Sequence, residues 1–413
     1  MSLNRRDFLL STAALAAAGA GLPRPAPAAV RDADQVFPPG VRDDFLWATT
    51  ETFINSAAYS PISRQSTQAM HDYIAYRAKG RGDGRRDFGG EQQQEVKALF
   101  AELINAKVDE IAFCQSTSHG ENIVLAGLDL PRAGGNVVID DLHYNSSLYI
   151  YKMLEQRGLE VRIVKNRDWV VDPRDVERAV DRNTRLVSMA LVSNVNGFLH
   201  DVRAISDVAH ASGALVYADI IQAAGSVPVD VRAMGLDACA CSHYKWLMAD
   251  RGLGFLYIRE DLQGSRIAFT QYGHRQYAAF DRSDISWTAV GGARRYETGN
   301  IANVCAAAVH ESLKYIHRLG LPAIRAHAKG LTARLQRELP AIGYESITPA
   351  DTPTPIVTFK VKDAADTSAR LRRANVAVTV WAQSQQPGQS MMRVSPAVFN
   401  THADIDRLLD CLT

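Results

Sequence analysis

The sequence predicts an α/β fold, with helices covering a mostly parallel sheet and a smaller α/β domain at the C-terminus. Short apolar runs of strand length alternate with stretches of helical periodicity through residues 110–258. Apolar runs of this kind are typical of strands that are buried on both faces of a parallel sheet. A long helix predicted over 304–319 then leads to an alternating strand over 355–361 and a helix over 365–374.

The stretch 214–258 contains three predicted strands with two polar turns between them. Asp219 follows the first strand and Lys245 follows the second, both at strand ends, where open α/β sheets bind ligands. A lysine in a partly desolvated site can form a Schiff base with a carbonyl cofactor. Pyridoxal phosphate (PLP) also needs an acidic partner for its ring nitrogen. The pairing of Asp219 with Lys245 therefore predicts a PLP site.

The order D-x-x-Q, then S-x-Y-K-W-L, then a Gly-rich approach to a strand resembles the class V aminotransferase family of fold-type I PLP-dependent enzymes. Relatives in this family include cysteine desulfurases, isopenicillin N epimerase, kynureninase and C–S lyases. The resemblance extends from about residue 53 to residue 412. It implies a large PLP-binding domain over 30–303 with a seven-stranded, mostly parallel sheet. It also implies a small C-terminal domain over 304–413 and a homodimer with shared active sites.

The resemblance implies a role for several residues around the cofactor. Thr117 and Ser118 begin a helix after the strand at 110–114, and with Ser242 they would bind the cofactor phosphate. Plain helix capping by the two hydroxyls is compatible with that role. His143 would stack on the cofactor ring and so take part in catalysis, with Tyr144 as the alternative.

Further positions follow from the same resemblance. Gln222 would bond the phenolic oxygen of the cofactor. Asn196 would bond that oxygen or the substrate, although a turn-forming Asn-Gly pair is an equal alternative for Asn196. Tyr244 stands where many relatives have a histidine before the lysine. Asn300 lies in a segment that reaches the partner's phosphate in relatives. On the substrate side, the resemblance implies that Arg393 binds an α-carboxylate and that Asn55 lines the pocket.

The first 29 residues predict a twin-arginine (Tat) signal peptide. Arg5 and Arg6 precede an apolar run over 9–20 that is too short for a membrane anchor, and an A-x-A pattern ends at Ala28. These features predict passage through the Tat translocase, cleavage near Ala28 and a periplasmic location. No later stretch is long and apolar enough to predict a membrane anchor.

The amino-acid composition argues against nucleic-acid binding and against a metal site. The 413 residues contain 46 Lys plus Arg against 45 Asp plus Glu. The chain therefore lacks the surplus of basic residues that would indicate a nucleic-acid partner. The five cysteines have neither zinc-ligand spacing nor the spacing of a disulfide framework, so we predict buried thiols and no metal.

These observations predict a PLP-dependent enzyme that transforms an amino-acid-like small molecule through a carbanion at Cα, most simply an aminotransferase. Lys245 would be the general base and Asp219 would keep the ring an electron sink. Epimerisation and C–S or β-elimination pass through the same carbanion and stay open. A cysteine desulfurase is disfavoured because residues 376–392 contain no cysteine. A non-catalytic periplasmic binding protein is the alternative from another class.

Overall fold

The computed structural model describes residues 37, 40–82, 84–382 and 390–413. The signal peptide predicted over 1–29 lies outside these residues and stays a prediction.

The described chain alternates helices and strands. Its strands are β1 (Thr52–Phe53), β2 (Ile111–Cys114), β3 (Asn136–Asp140), β4 (Glu160–Val164), β5 (Thr184–Ala190), β6 (Leu215–Asp219), β7 (Ala238–Ser242), β8 (Gly254–Ile258), β9 (Tyr277–Asp281), β10 (Ser286–Ala289), β11 (Val357–Val361), β12 (Val376–Ala377), β13 (Thr379–Ala382) and β14 (Ser390–Val394). Its α-helices are α1 (Leu46–Thr50), α2 (Arg64–Lys79), α3 (Gly90–Leu103), α4 (Thr117–Gly127), α5 (Leu130–Ala133), α6 (Asn145–Glu155), α7 (Pro173–Ala179), α8 (Val202–Ala211), α9 (Asn303–Leu319), α10 (Leu321–Ala341), α11 (Ala364–Arg373) and α12 (His402–Leu412). Short 3₁₀-helices span Arg42–Asp44, Val108–Glu110, Glu260–Leu262, His274–Gln276 and Gly292–Tyr296.

The large sheet has seven strands in the order β2-β8-β7-β6-β5-β3-β4. The pairs from β7 to β4 are parallel, whereas β8 runs antiparallel to both of its neighbours, β7 and β2. The predicted α/β class with a mostly parallel seven-stranded sheet is therefore confirmed. The carboxyl ends of β6 and β7 meet at one edge, which brings the turns after Asp219 and Ser242 together.

Both faces of the large sheet are buried, and strand β6 shows how. Val216 and Ala218 belong to one hydrophobic cluster, while Leu215 and Tyr217 belong to a second cluster on the opposite face. Because side chains alternate between faces, a strand that is covered on both sides must be apolar throughout. This explains the unbroken apolar run that predicts β6.

A third hydrophobic cluster lies in the C-terminal region, where β11, β14 and β13 form an antiparallel sheet. Leu331 of α10, Phe359 of β11 and Leu408 of α12 all contribute to it. Strand β1 pairs in parallel with β12, so the chain before α2 joins this region. The domain boundary placed between residues 303 and 304 stays a prediction. Helix α9, which begins the predicted small domain, packs into the core of the large sheet through Val309 and Leu313.

The β9–β10 hairpin has no counterpart in the sequence-based predictions. Every residue of both strands is exposed, including Phe280 and Trp287. Among the described helices, none has both the length and the apolar character needed to cross a membrane.

Candidate active site

A cavity of about 830 Å³ opens at the carboxyl ends of β6 and β7. It lies between the large sheet and the segment that contains β13 and β14. Its walls are formed by Ala57, Ala58, Gln115, Ser116, Asp141, Leu142, Tyr144, Asn145, Trp169, Asn194, Val195, Ser242, Tyr244, Lys245, Arg251, Gly252, Thr379, Trp381 and Arg393. A cavity of this size holds a small cofactor together with a substrate.

Lys245 projects into this cavity and is only 6% exposed. Burial lowers the pKa of Lys245 to about 8, because desolvation disfavours the charged amine; the positive charge of Arg393 adds to this effect, and Asp219 opposes it. Burial likewise raises the pKa of Asp219 to about 6, although its carboxylate accepts a hydrogen bond of 2.9 Å from the backbone N–H of Ile221. An amine with such a pKa is partly neutral near pH 7, as a nucleophile or a base requires.

The loop after Asp219 lies very close to the segment that carries Lys245, and a glycine makes this approach possible. Gly225 has a φ of +88°, and a Cβ at this position would lie 2.6 Å from the carbonyl oxygen of Trp246. Nearby, the amide of Gln222 donates to the Ala57 carbonyl oxygen at 2.9 Å and accepts from the Trp246 indole at 2.8 Å. Gln222 therefore has both ends of its amide bonded to protein, and it does not line the cavity.

The N-terminus of α4 faces Ser242 of β7. The Ser242 hydroxyl lies 2.8 Å from the backbone N of Thr117 and 3.1 Å from the Thr117 hydroxyl. Ser116 caps the helix by accepting from the backbone N–H of His119 at 3.2 Å, and Ser116 and Ser242 both line the cavity. Backbone N–H groups and hydroxyls at a helix start attract anions, so this corner suits a phosphate. Ser118 is the next residue of the same helical turn.

His143 does not reach the cavity. Its Nδ1 accepts from the backbone N–H of Tyr144 at 2.8 Å, and its Nε2 lies 3.2 Å from the Ser188 hydroxyl and 4.0 Å from a Glu121 carboxylate oxygen. Burial lowers the pKa of His143 to about 4, so the ring is neutral. Tyr144 lines the cavity instead, with the Lys245 Nζ 5.5 Å from its ring centroid. This placement favours Tyr144, the alternative to His143, as the ring beside a cofactor.

Asn196 is also held away from the cavity. Its amide donates to the carbonyl oxygens of Trp169 at 2.9 Å and Ile347 at 3.3 Å, and it accepts from the backbone of Phe198 at 3.1 Å. Asn194 lies in the cavity wall, and its buried Oδ1 has no hydrogen-bond partner among the described residues. The structure therefore places Asn196 in the turn role that was left open for it, and it brings Asn194, which was not predicted, to the cavity wall.

Arg393 is 6% exposed and lies on β14 at the substrate side. It donates to the Asn194 carbonyl oxygen at 2.6 Å and, at 3.4 Å, to the hydroxyl of Thr379. Within the described residues no carboxylate pairs with it, and its Nε has no hydrogen-bond partner. Burial lowers the pKa of Arg393 to about 10. A buried guanidinium without a counter-ion is costly, which indicates that a ligand supplies the anion.

Asn55 acts one contact further away. Its Oδ1 accepts from the Thr379 hydroxyl at 2.7 Å, so Asn55 orients Thr379 beside Arg393 without lining the cavity itself. Tyr244 does line the cavity, and its ring centroid lies 5.9 Å from the Lys245 Nζ. Asn300 is not brought to this cavity; it is exposed, and its side chain lies 3.2 Å from the His274 ring.

Among the described residues no group of three His, Cys, Asp or Glu side chains is arranged to hold a metal ion. The groups at this site instead suit an organic cofactor with a phosphate. The buried amine of Lys245 and Ser116 at the start of α4 line the cavity, and the Asp219 carboxylate is buried at the carboxyl end of β6 without lining it.

Comparison with known proteins agrees with this assignment. The family model "Aminotransferase class-V" matches residues 52–408. A probable cysteine desulfurase from Methanothermobacter thermautotrophicus is 31% identical over 306 residues, which are 73% of this chain and 76% of that protein. The structure of the cysteine desulfurase CsdA from Escherichia coli superimposes with a TM-score of 0.81 at 19% identity, covering 91% of this chain and 98% of CsdA.

A second solved structure is that of a C-DES mutant with glycine covalently linked to its PLP cofactor. It has a TM-score of 0.79 at 19% identity and covers 90% of this chain and 98% of that protein. The family match spans nearly all of the described chain, and the cavity contains the groups that PLP requires. The chain therefore belongs to the class V aminotransferase family and is an enzyme that depends on pyridoxal 5'-phosphate.

Proposed function

We propose that this enzyme removes the proton from Cα of an α-amino carboxylate and that transamination is its reaction. The observation that carries the proposal is the presence, in one cavity, of a buried amine and a buried guanidinium without a counter-ion. Lys245 supplies a base, and Arg393 supplies a site for the substrate carboxylate. A bidentate grip on that carboxylate fixes the orientation of Cα relative to Lys245.

The residues at and beside the cavity divide the work of this reaction between them. When bound, PLP draws electrons away from Cα of the amine it holds. Lys245 holds the cofactor and afterwards moves the proton at Cα, while Asp219 keeps the ring nitrogen protonated. Ser242 and the start of α4 bind the phosphate. Tyr144 packs on the ring, and Asn194 offers its unpaired Oδ1 to the bound molecules.

A C–S lyase is the second candidate, because the curated relatives include cysteine desulfurases. A desulfurase that uses a cysteine nucleophile does not fit as well. Residues 376–392 contain no cysteine, and no cysteine of the described chain lines the cavity. Burial also raises the pKa of Cys114 to about 12 and of Cys305 to about 11, which keeps these thiols unreactive.

Product analysis separates these reactions. The purified holoenzyme is mixed with single L-amino acids, and the cofactor absorbance and the products are measured. Transamination converts the amino acid to its 2-oxo acid and transfers the amino group to the cofactor. Elimination from cysteine releases pyruvate, ammonia and sulfide and leaves the cofactor unchanged, and epimerisation converts part of the L-amino acid to its D-enantiomer with no other product. Release of sulfide without amino transfer would replace the first candidate with the second.

We also propose that the enzyme is a homodimer in which Asn300 faces the partner's phosphate site. The exposed aromatic residues of the β9–β10 hairpin, Phe280 and Trp287, support an interface near Asn300, since monomers rarely leave such groups in water. Light scattering of the purified protein gives its mass. A monomer at micromolar concentration would exclude the shared site.

The location is a separate proposal: the chain is exported to the periplasm through the Tat translocase. Arg5 and Arg6 followed by an apolar run support it. Replacing both arginines with lysine should leave a folded, yellow protein in the cytoplasm. Undiminished periplasmic activity of this variant would refute the Tat route.

A further inference from the structure

The cavity contains one more cation than the proposed reaction uses. Lys245, Arg251 and Arg393 all line it, whereas Asp141 is the acidic residue in its wall. The Asp141 carboxylate is already engaged: it accepts from the backbone N of Asn166 at 2.8 Å and from its side-chain amide at 2.9 Å. With Lys245 assigned to the cofactor and Arg393 to the α-carboxylate, Arg251 has no assigned partner.

Arg251 is held at the cavity by aromatic rings and by its backbone. Its guanidinium carbon lies 5.6 Å from the ring centroid of Tyr59 and 5.5 Å from that of Tyr244. Its backbone N–H donates to the Asp250 side chain at 2.8 Å, and its carbonyl oxygen accepts from the Cys305 thiol at 3.0 Å. These contacts restrict the side chain, and none of them uses a hydrogen bond from the guanidinium N–H groups.

No group in the described part of the chain neutralises this guanidinium. Within the described residues, Arg251 forms no salt bridge, and its side chain donates no hydrogen bond to protein. The seven residues 383–389, which follow β13, contain neither Asp nor Glu. Among the described residues, then, no group supplies an anion for Arg251, and a bound molecule that enters the cavity can supply it. The cofactor phosphate has its own site at the start of α4, where backbone N–H groups and Ser242 meet.

We propose that Arg251 is a specificity-determining residue that binds a second acidic group of the substrate, which is therefore a dicarboxylic amino acid or a molecule that carries one. Arg393 is buried and takes the α-carboxylate; Arg251 is exposed, lines the same cavity and takes the distal carboxylate. The inference rests on the proposed function, because it assumes that Arg393 holds the α-carboxylate.

Matched pairs of acid and amide test the proposal. The ratio of kcat/KM for glutamate over glutamine, and for aspartate over asparagine, is measured for wild-type enzyme, Arg251→Gln and Arg251→Lys. We expect wild-type enzyme to prefer one of the acids by about tenfold or more, the size expected for one partly exposed charge-assisted hydrogen bond. Arg251→Gln should abolish the preference, and Arg251→Lys should restore part of it. Arg182→Gln, at an exposed loop outside the cavity wall, is the control.

A binding measurement keeps this inference separate from the proposed reaction. Calorimetry compares glutarate with butyrate on the holoenzyme, and a cofactor titration gives the PLP dissociation constant of each variant. If no amino acid is turned over, the proposed reaction fails, but a loss of glutarate binding in Arg251→Gln would still support the subsite. Two results would overturn the subsite: no acid preference in the wild type, or an acid preference that survives Arg251→Gln, whether or not the PLP affinity of that variant is weaker.

Discussion

Replacing Arg393 with glutamine tests how the substrate is held. The guanidinium is buried and, within the described residues, its Nε is unpaired. Its hydrogen bonds are to neutral oxygens and its other contact is the Trp381 ring, so the substrate carboxylate is its expected counter-ion. Truncating one partner of a desolvated charge pair costs about 2–5 kcal/mol. This corresponds to a decrease in kcat/KM of about 30- to 5,000-fold.

The assay compares the amino acid substrate with the same amine lacking its carboxylate. Arg393→Gln should lose most of its activity on the amino acid and little on the amine, while PLP absorbance stays at the wild-type level. Arg182→Gln controls for the loss of one positive charge. If Arg393→Gln retains wild-type kcat/KM on the amino acid, the carboxylate binds elsewhere and the proposed orientation of Cα is wrong.

Three further predictions concern the surroundings of the site. The rate at which apoenzyme binds PLP should rise with pH through a midpoint near 8, because the neutral Lys245 amine is the reactive form. Arg393→Gln should move this midpoint to higher pH, because it removes a positive charge that lowers the pKa of Lys245. An unmoved midpoint would argue against the proximity of Arg393 and Lys245. Asn196→Ala should destabilise the protein by about 1–3 kcal/mol in urea unfolding, because two carbonyl groups lose their donor. Asn194→Ala should instead lower kcat/KM with little change in stability. The reverse pattern would contradict the orientations assigned to the two side chains. Glu297→Gln should lower the free energy of unfolding by about 3–5 kcal/mol, because it leaves the buried Lys97 charge uncompensated. Glu345→Gln, at an exposed ion pair with Lys360, is the control. A decrease below about 1 kcal/mol for Glu297→Gln would show that the Lys97–Glu297 pair is not needed for stability.

The main sheet and its central residues could be predicted because their signals are local. An apolar run that ends in a polar residue identifies both β6 and the position of Asp219, and the same argument holds for β7 and the turn that carries Lys245. Parallel pairing then brings the two strand ends together without further information.

The orientation of neighbouring side chains could not be predicted in the same way. Asn194 and Asn196 lie two residues apart in one turn, and the contact that decides between them is distant in sequence. Gly197, at a φ of +76°, packs so closely on the C-terminal region that a Cβ would lie 2.2 Å from the carbonyl oxygen of Ile356. This contact fixes the turn, directs Asn196 toward Ile347 and leaves Asn194 facing the cavity.

His143 and Tyr144 illustrate the same limit. Both follow β3, and either ring is compatible with the sequence. The buried Ser188 and Glu121, from other elements, provide a polar site for the histidine, so the tyrosine is the ring left to face the cavity. The β9–β10 hairpin escaped prediction for a different reason: the residues between its strands, 282–285, contain no glycine or Asn-Gly pair that would indicate a turn.

The most direct test of the account is to identify the residue that holds the cofactor. Borohydride reduction of the holoenzyme fixes PLP to the amine that carries it, and mass analysis of the digested protein then locates the added mass. We expect the reduced cofactor on the peptide that contains Lys245, and we expect Lys245→Ala to fold but to retain no label. Label on any other lysine, or an unchanged yield of labelled protein in Lys245→Ala, would contradict the central assignment.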